Sequence, residues 1–570
     1  MKQTYQRTLA ILLITLMPVL SACGITPETG TGNSTASEAT AQAEETAKAD
    51  SSAEQTEETG QVGAENSAAD SDTGKDTADA GSGEDVTYTA HLPIVVQSGG
   101  GRHEVPNGEY LHEIFEEYPV LSVGEYEWGG TIAPPADRRY DALESRLNML
   151  NGEFVSAGGT TWLKQYLAQE GIEETGSVGR HCHINEYNGN ITMYNRTQVQ
   201  VTRADERALS LLVSTRSDAL LSAIPVFYGT YVIDPETGKD IRLKSVVADM
   251  DAFLETLAIL AEEVLPDTAF TDQLQDADSA EALAEEMWTL DHDGITVYAS
   301  LDDTGEMENV PCVTVTFSDY PELFDEAYTG HPESYLTQML PGRPYTLPGS
   351  DDIIRLDHEA VTDADTVPQY PLTLTIGEKT FSDHYAKNYP PHYFVCHKGR
   401  CYILMDPPAF DISAEMYRYD LNGGDVKEPD RLDIRIGAPV TFNPAHMLFY
   451  EDALKNGDAV DPALQCVAFA YYRMDENGDF VCDEDARFLE GNTELTARQQ
   501  VETLGYRRHD EGTFVNKTIT RGMKLRPYRT DRKTFIEFES GGDVFRFDME
   551  GYGTDMKLND VFTIANLFGE

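Results

Sequence analysis

The segment ITMYNRTQVQVTRADERALSLLVS, residues 191–214, contains the clearest structural signal of this 570-residue sequence. Residues 191–202 alternate apolar and polar side chains with the two-residue period of a β-strand, and residues 208–214 form a second run of strand-forming residues. Residues 204–206 between them have the composition of a turn. The segment therefore predicts two antiparallel strands joined by a short connection.

Further elements are predicted on both sides of this strand pair. Residues 109–123 and 226–233 predict strands, and apolar residues at helical spacing predict a helix that begins near Tyr140. Residues 246–264 carry an apolar stripe along one face, which predicts a longer amphipathic helix packed on a core. We therefore expect residues 89–357 to form one α+β domain.

Several short patterns in this domain resemble those of PdaC/RsiV-like ectodomains. In chain order they are Tyr118-Pro119-Val120-Leu121, Tyr140-Asp141-Ala142-Leu143 with Asn148 and Asn151 in the following helix, Arg203-Ala204-Asp205 with Leu209-Ser210, Tyr231-Val232-Ile233-Asp234, Thr237-Gly238-Lys239, and Ile241-Arg242-Leu243. The resemblance covers residues 105–330 and implies an extracellular binding domain. The family includes the lysozyme-receptor part of an anti-sigma factor, the non-catalytic region of a peptidoglycan deacetylase, and lipoproteins of Gram-positive anaerobes.

One pattern departs from that family. Leu220–Pro225 stands where family members usually carry a Gly-Gly-Ala-His type segment before the Tyr-Asp-Thr-Gly-Lys strand. Any ligand contact that this segment makes in the family is therefore not implied for this chain.

Residues 358–570 are rich in strand and turn patterns and are expected to form one or two mainly β domains. Hairpins are predicted within 394–405 and 467–480. The last part, about 515–570, resembles the small SH3-like barrels that close similar lipoproteins, which implies a recognition module. A packing domain without a ligand is the alternative.

Membrane attachment is expected at Cys23. Residues 1–22 have the features of a signal peptide, namely two cations followed by an apolar stretch at 9–20 and a small-residue site directly before the cysteine. Twelve residues make about 18 Å of helix, whereas a membrane span needs about 20 residues. The resemblance to bacterial lipoprotein signals implies cleavage before Cys23 and acylation of its thiol, so that the protein is extracellular and anchored to the outer face of the cell membrane.

Residues 23–88 are expected to form a disordered tether. The segment consists mainly of Thr, Ser, Glu, Ala, Asp and Gly, and residues 24–88 carry a net charge of -13. So few large apolar side chains cannot offset the entropy of ordering the chain, and like charges extend it.

The formal net charge of the whole chain is -57. This charge argues against nucleic acid and anionic lipid surfaces as partners of the folded part, because phosphate binding needs clustered Lys and Arg. Cationic proteins are the electrostatically favoured partners. The resemblance to PdaC/RsiV-like ectodomains implies a lysozyme or peptidoglycan as the ligand. The alternative is that the acidity only keeps an extracellular protein soluble.

Six cysteines follow Cys23, and one pair can be assigned from the sequence. Lys398-Gly399 suits a two-residue hairpin turn, which would place Cys396 and Cys401 opposite each other one step beyond the turn. A cross-strand disulfide is therefore predicted between them. The pairing of the other four is left open; they are Cys182, Cys312, Cys466 and Cys482.

No complete catalytic or metal-binding motif is present in the sequence. His112-Glu113 lacks the second histidine of a zinc-protease helix, His181 and His183 lack a positioned third ligand, and residues 475–479 match a hairpin turn better than a calcium loop. We therefore expect a non-catalytic surface protein that binds or senses a ligand without metal or cofactor. The alternatives are a cell-wall polymer hydrolase that uses paired carboxylates and a structural surface spacer.

Overall fold

The structure is a computed structural model, and the residues that it describes lie between 90 and 569. They are 90–107, 110–135, 138–157, 191–217, 227–266, 268–299, 311–347, 352–358, 372–383, 392–405, 416–422, 429–436, 440–451, 467–482, 486–490, 494–508, 513–531, 533–550 and 557–569. Several predicted features lie outside them: the signal peptide, Cys23, the tether, His181, Cys182, His183, Leu220–Pro225 and Cys466. Within the described residues, no helix is both long and apolar enough to cross a membrane.

The first part of the chain forms a sheet that packs against one helix. Its elements are β1 Ile94–Asn107, β2 Tyr110–Val123, β3 Glu125–Glu127, β4 Thr131–Ala133, α1 Asp141–Ala157, β5 Ile191–Ala204, β6 Leu209–Ser217 and β7 Phe227–Ile233. The sheet order is β1-β2-β5-β6-β7, in which β2 and β5 are parallel, while β3 and β4 form a separate ribbon. α1 lies in the connection between the parallel strands, which cannot be joined by a tight turn. The predicted helix near Tyr140 and the strand pair of residues 191–214 are thus confirmed.

The next part contains four helices, a small antiparallel sheet and two 3₁₀ turns. Its elements are the 3₁₀ turn Leu243–Ser245, α2 Met250–Val264, α3 Ala269–Gln275, α4 Ala277–Glu286, β8 Trp288–Leu290, β9 Gly294–Tyr298, β10 Cys312–Thr316, the 3₁₀ turn Pro321–Leu323 and α5 Glu326–Thr329. The amphipathic helix predicted from residue 246 begins four residues later. Asp249 accepts a hydrogen bond from the Ala252 N–H and caps the helix, whereas Val247 pairs with Phe324 as an isolated bridge. The side chain of Val247 is therefore buried in the core, although Val247 is not part of the helix.

Two smaller sheets follow. Their strands are β11 Ser334–Gln338, β12 Pro344–Thr346, β13 Ile353–His358, β14 Leu372–Ile376, β15 Lys379–Asp383, β16 His392–His397, β17 Arg400–Met405, β18 Met416–Asp420 and β19 Asp430–Leu432. One sheet has the order β11-β16-β17-β18-β19 and the other β12-β13-β14-β15. The hairpin predicted within 394–405 is confirmed as β16 and β17.

The last part is dominated by a large sheet. Its elements are β20 Ile434–Arg435, β21 Val440–Thr441, β22 Met447–Glu451, β23 Val467–Met474, β24 Phe480–Cys482, β25 Arg487–Glu490, β26 Leu495–Ala497, β27 Val501–Arg507, β28 Val515–Ile519, β29 Lys524–Thr530, β30 Phe535–Ser540, β31 Asp543–Glu550, β32 Lys557–Leu558, α6 Ile564–Leu567 and β33 Phe568–Gly569. β29 pairs with β25 and β31 pairs with β27. The segment predicted as an SH3-like barrel therefore shares its sheet with strands that precede residue 515.

The described part of the chain is mostly β-sheet with few helices. Strands distant in sequence pair directly, since Val95 in β1 lies opposite Thr441 in β21. One hydrophobic cluster contains Leu209, Val395 and Phe449 together, so the core continues across the predicted boundary at residue 357.

Candidate functional site

The Arg203-Ala204-Asp205 pattern, one of those that resemble the ectodomain family, forms a buried ion pair within the frame of the fold. The Arg203 Nε–H donates to Asp205 Oδ2 over 2.8 Å, and both side chains are fully buried. The other guanidinium N–H groups donate to the carbonyl oxygens of Asp291, Tyr328 and Gly330. The arginine therefore ties the end of β5 to the β8–β9 turn and to the segment before β11.

Asn151 and Gly238, from two further patterns, also make contacts that hold the fold together. The Asn151 side chain accepts from the N–H of Leu121 and donates to its carbonyl oxygen, both over 2.9 Å, and so fixes α1 against β2. Gly238, at φ +64°, lies so close to α1 that a Cβ would be 2.5 Å from the Ala142 carbonyl oxygen. These residues, which belong to the patterns that resemble the ectodomain family, thus make contacts inside the fold.

A second buried ion-pair network surrounds Arg343. Its Nη2 donates to Asp291 Oδ2 and Asp293 Oδ1, each over 2.7 Å, and its Nε donates to Thr296 Oγ1 over 2.9 Å. The guanidinium also lies 4.0 Å from the ring centroid of Tyr345. Burial raises the pKa of Asp291, and the charge of Arg343 opposes that rise. One cation bridges the two carboxylates, which favours a structural role for this pair over paired-carboxylate hydrolysis.

His292 lies beside the Arg203–Asp205 ion pair. His292 stacks on Tyr335 with ring centroids 4.3 Å apart, and its Nδ1 lies 4.0 Å from Asp205 Oδ2. Burial, followed by the nearby charge of Arg203, holds the pKa of His292 well below its ordinary value. Among the described residues, no group of three or more His, Cys, Asp or Glu side chains is placed to hold a metal ion. His292 is therefore a neutral core side chain at neutral pH.

Glu153 is another carboxylate in an unusual environment. It is half-buried on α1, and its Oε2 lies 3.5 Å from the Tyr231 hydroxyl. Burial raises the pKa of Glu153, while the charge of Arg146 opposes that rise. The hydrogen bond from the Tyr231 hydroxyl also lowers the pKa of Glu153, so burial is the main cause of the rise.

Another feature of the chain is a sequence stretch without any lysine or arginine. Residues 245–342 contain 23 Asp and Glu among 98 residues and no Lys or Arg at all. Its described residues form α2, α3, α4, α5, the sheet β8–β10 and β11. Sequence reasoning considered the charge of whole segments and missed this run, although a count of cations along the chain would have found it.

The helices of this stretch, Met250–Glu286, form a layer that we call the acidic layer. Phe253, Leu257 and Ala261 of α2 are buried in the core beneath it. The outer side exposes eight carboxylates: Asp251, Glu255, Glu262, Glu263, Asp272, Asp276, Glu281 and Glu286. Two apolar side chains are also exposed on α2, Ile259 by 53% and Val264 by 47%. A surface of this kind can attract a cationic partner and offer it apolar contact.

Cys396 and Cys401 are directly opposite each other, as the sequence predicted. The turn residues Lys398 and Gly399 have φ values of 49° and 75°, the pattern of a tight two-residue hairpin. The two Sγ atoms are 3.2 Å apart as thiols. The disulfide between them stays a prediction.

Comparisons with known proteins give only remote likenesses. No protein-family model matches the sequence, and no curated protein matches it. Among solved structures, a member of the DUF3298 family from Bacteroides fragilis shares 11% identity, with a TM-score of 0.25, over 41% of this chain and 95% of that chain. A DUF3298 family protein from Pseudomonas aeruginosa shares 12% identity, with a TM-score of 0.23, over 42% of this chain and 96% of that chain. PdaC/RsiV-like domains contain DUF3298, but likenesses this low carry no argument about function.

Proposed function

We propose that this chain is a non-catalytic protein that is lipid-anchored to the outer face of the cell membrane and binds a cationic protein through the acidic layer. In this proposal residues 89–357 are a PdaC/RsiV-like domain, and the mainly β region that follows supports it. The observation that carries the proposal is the run of 98 residues with 23 carboxylate side chains and no Lys or Arg.

The distribution of charged residues along the chain favours a binding role over a role in general solubility. Solubility needs only a net charge away from zero, with both signs of charge mixed over the surface. Here the cations are excluded from one continuous stretch, while residues 498–533 alone contain ten Lys and Arg. Eight exposed carboxylates on one helical layer would speed the approach of a basic protein, and the exposed Ile259 and Val264 would supply apolar contact once it has docked.

A calorimetric titration tests the proposal. Hen lysozyme is titrated into the whole mature chain with Cys23 replaced by serine, at low and at physiological salt, because residues on both sides of 357 share one core. The proposal expects binding that weakens with salt but persists at physiological salt, where the Debye length is about 8 Å. Binding that disappears there indicates non-specific attraction, and no binding at either salt concentration contradicts lysozyme as the partner.

The same purified chain, without added hen lysozyme, separates the alternative functions. Labelled peptidoglycan is added in the presence and absence of a lysozyme inhibitor, which controls for contaminating lysozyme, and the release of soluble label is followed over time. Release of label by the chain alone would favour the wall-polymer hydrolase over a binding protein. Neither binding nor release would favour a surface spacer.

A further inference from the structure

The row Tyr335, Cys396 and Cys401 crosses three neighbouring strands of one sheet. Tyr335 in β11 lies opposite Cys396 in β16, and Cys396 lies opposite Cys401 in β17. All three side chains are buried in one hydrophobic cluster. Two thiols and a phenol are therefore held in a fixed order inside the core.

The environments of the two sulfurs differ. The Cys401 thiol donates to Cys396 Sγ over 3.2 Å, and the Tyr335 hydroxyl also bonds Cys396. The hydrogen bond from Cys401 lowers the pKa of Cys396, burial opposes this, and the Tyr335 hydroxyl adds to the lowering. The same thiol contact and burial raise the pKa of Cys401. Negative charge is thus favoured on the Cys396 sulfur rather than on the Cys401 sulfur.

The partner cysteine is fixed through its backbone. The Cys401 N–H donates to Asn422 Oδ1 over 2.8 Å, and the Asn422 side-chain amide donates to the Cys401 carbonyl oxygen over 3.0 Å. This clamp fixes the Cys401 backbone next to the strand that carries Cys396.

We propose that Cys396 and Cys401 form a reversible redox site, with Cys396 as the attacking thiol, Cys401 as the resolving thiol and a low-molecular-weight disulfide as the oxidant. The Cys396 thiolate attacks one sulfur of that disulfide, forms a mixed disulfide and releases one thiolate. Cys401 then loses its proton to solvent, attacks the Cys396 sulfur and releases the second thiolate. Two protein thiols are oxidised by two electrons, and one external disulfide becomes two thiols.

Burial limits access to the site. Cys396 is 4% exposed, whereas residues 398–400 at the hairpin tip are exposed. Exchange is therefore expected to be slower in the native protein than in urea, where the sulfur is accessible. The Tyr335 hydroxyl, which bonds Cys396, is a positioning group for the attacking sulfur.

The experiment compares two variants of the whole chain, each of which replaces one cysteine of the pair, and alkylation is read by mass spectrometry on the peptide that contains residues 396–401. Cys401→Ser leaves Cys396 with a hydroxyl donor, and Cys396→Ser leaves Cys401 alone. At pH 7.5 we expect iodoacetamide to alkylate Cys396 faster than Cys401, because the hydrogen bonds from residue 401 and from the Tyr335 hydroxyl favour negative charge on the Cys396 sulfur. Equal rates, or a faster Cys401, would overturn the assignment.

A second pair of variants tests the tyrosine. In the Cys401→Ser chain, Tyr335→Phe is expected to move the pH midpoint of Cys396 alkylation upward. Tyr345→Phe is the matched control, because this buried tyrosine belongs to the same cluster but its hydroxyl accepts from the Leu340 N–H. An unchanged midpoint in Tyr335→Phe, or the same shift in both variants, would contradict the role of Tyr335.

Reversibility is tested on the unaltered chain, so that it does not depend on any variant folding. The protein is equilibrated with mixtures of reduced and oxidised glutathione, trapped with acid, and the 396–401 peptide is quantified by mass spectrometry. The expected result is a disulfide that forms and disappears with the glutathione ratio from both directions. A disulfide that native reduction never opens, or dithiol that never closes, would refute a reversible site.

Discussion

Replacing Arg343 with methionine is expected to lower the free energy of unfolding by about 3–5 kcal/mol, the cost of leaving a buried charge without its partner. Arg343 is 1% exposed and bonds Asp291, Asp293 and Thr296. Methionine keeps much of the side-chain volume but supplies no N–H donor. Asp291, which is also 1% exposed, would then remain buried without the cation that neutralises it.

The cost should depend on pH in a defined direction. Burial already raises the pKa of Asp291 above its ordinary value of 3.8, and loss of the cation raises it further. The folded variant then holds the carboxyl proton more tightly than the unfolded chain. The penalty is therefore full at neutral pH and shrinks as the pH falls through the folded-state pKa toward 3.8.

Urea denaturation followed by circular dichroism at pH 7.5 and pH 5 measures both effects. Arg355→Met is the matched control, because Arg355 also forms a 2.7 Å ion pair, with Asp357, but is 50% exposed. The control should change the free energy of unfolding by no more than about 0.5 kcal/mol. Adding Asp291→Leu to Arg343→Met should recover much of the loss. A loss below about 1 kcal/mol, or one independent of pH, would refute the reasoning.

Three further predictions concern other parts of the chain. The pKa of His292 in the folded protein is well below 6.5, so the free energy of unfolding should fall as the pH drops below 6.5, by up to about 1.4 kcal/mol per pH unit. His292→Phe keeps an aromatic ring on Tyr335 and should remove this part of the pH dependence in urea titrations. An unchanged pH dependence would exclude His292 as its source. Asn151→Ala leaves both Leu121 backbone groups without their partner and should cost about 2 kcal/mol in the same assay, with a loss under 0.5 kcal/mol counting against the clamp. Cys23 should be the first residue of the membrane-bound protein and carry a diacylglyceryl group, and intact mass spectrometry that finds an unmodified or uncleaved N-terminus would show this wrong.

Local patterns in the sequence predicted the local structure well. The strand at Ile191–Ala204 follows from its two-residue period, and the hairpin at Lys398-Gly399 follows from a glycine at a turn that requires positive φ. The start of α2 could not be predicted in this way. The apolar period continues back to Val246, but Asp249 caps the helix and Val247 pairs with Phe324, a residue more than seventy positions away.

Long-range pairing accounts for the rest of what the sequence did not predict. The Trp128 Nε1–H donates to the Leu489 carbonyl oxygen over 2.6 Å, and no local pattern in either residue's neighbourhood specifies the other. Arg343 is similar, because an arginine in a Gly-Arg-Pro sequence gives no local sign that it will be buried against Asp291. Single-sequence patterns record which side chains are apolar but not which distant polar groups will be buried together.

We propose that the acidic layer, rather than the overall charge, binds a cationic protein, and charge reversal at two places on the chain tests this proposal most directly. One variant combines Glu255→Lys, Glu263→Lys and Glu281→Lys on the acidic layer. A matched variant combines Glu502→Lys, Asp548→Lys and Glu550→Lys, which are exposed carboxylates of the C-terminal sheet. Both change the net charge equally, and the measurement is the Kd for lysozyme at physiological salt. We predict a Kd raised about tenfold or more, equal to about 1.4 kcal/mol, by the first variant and by less than threefold by the second. Equal weakening by both variants, or no weakening by the first, would contradict the claim.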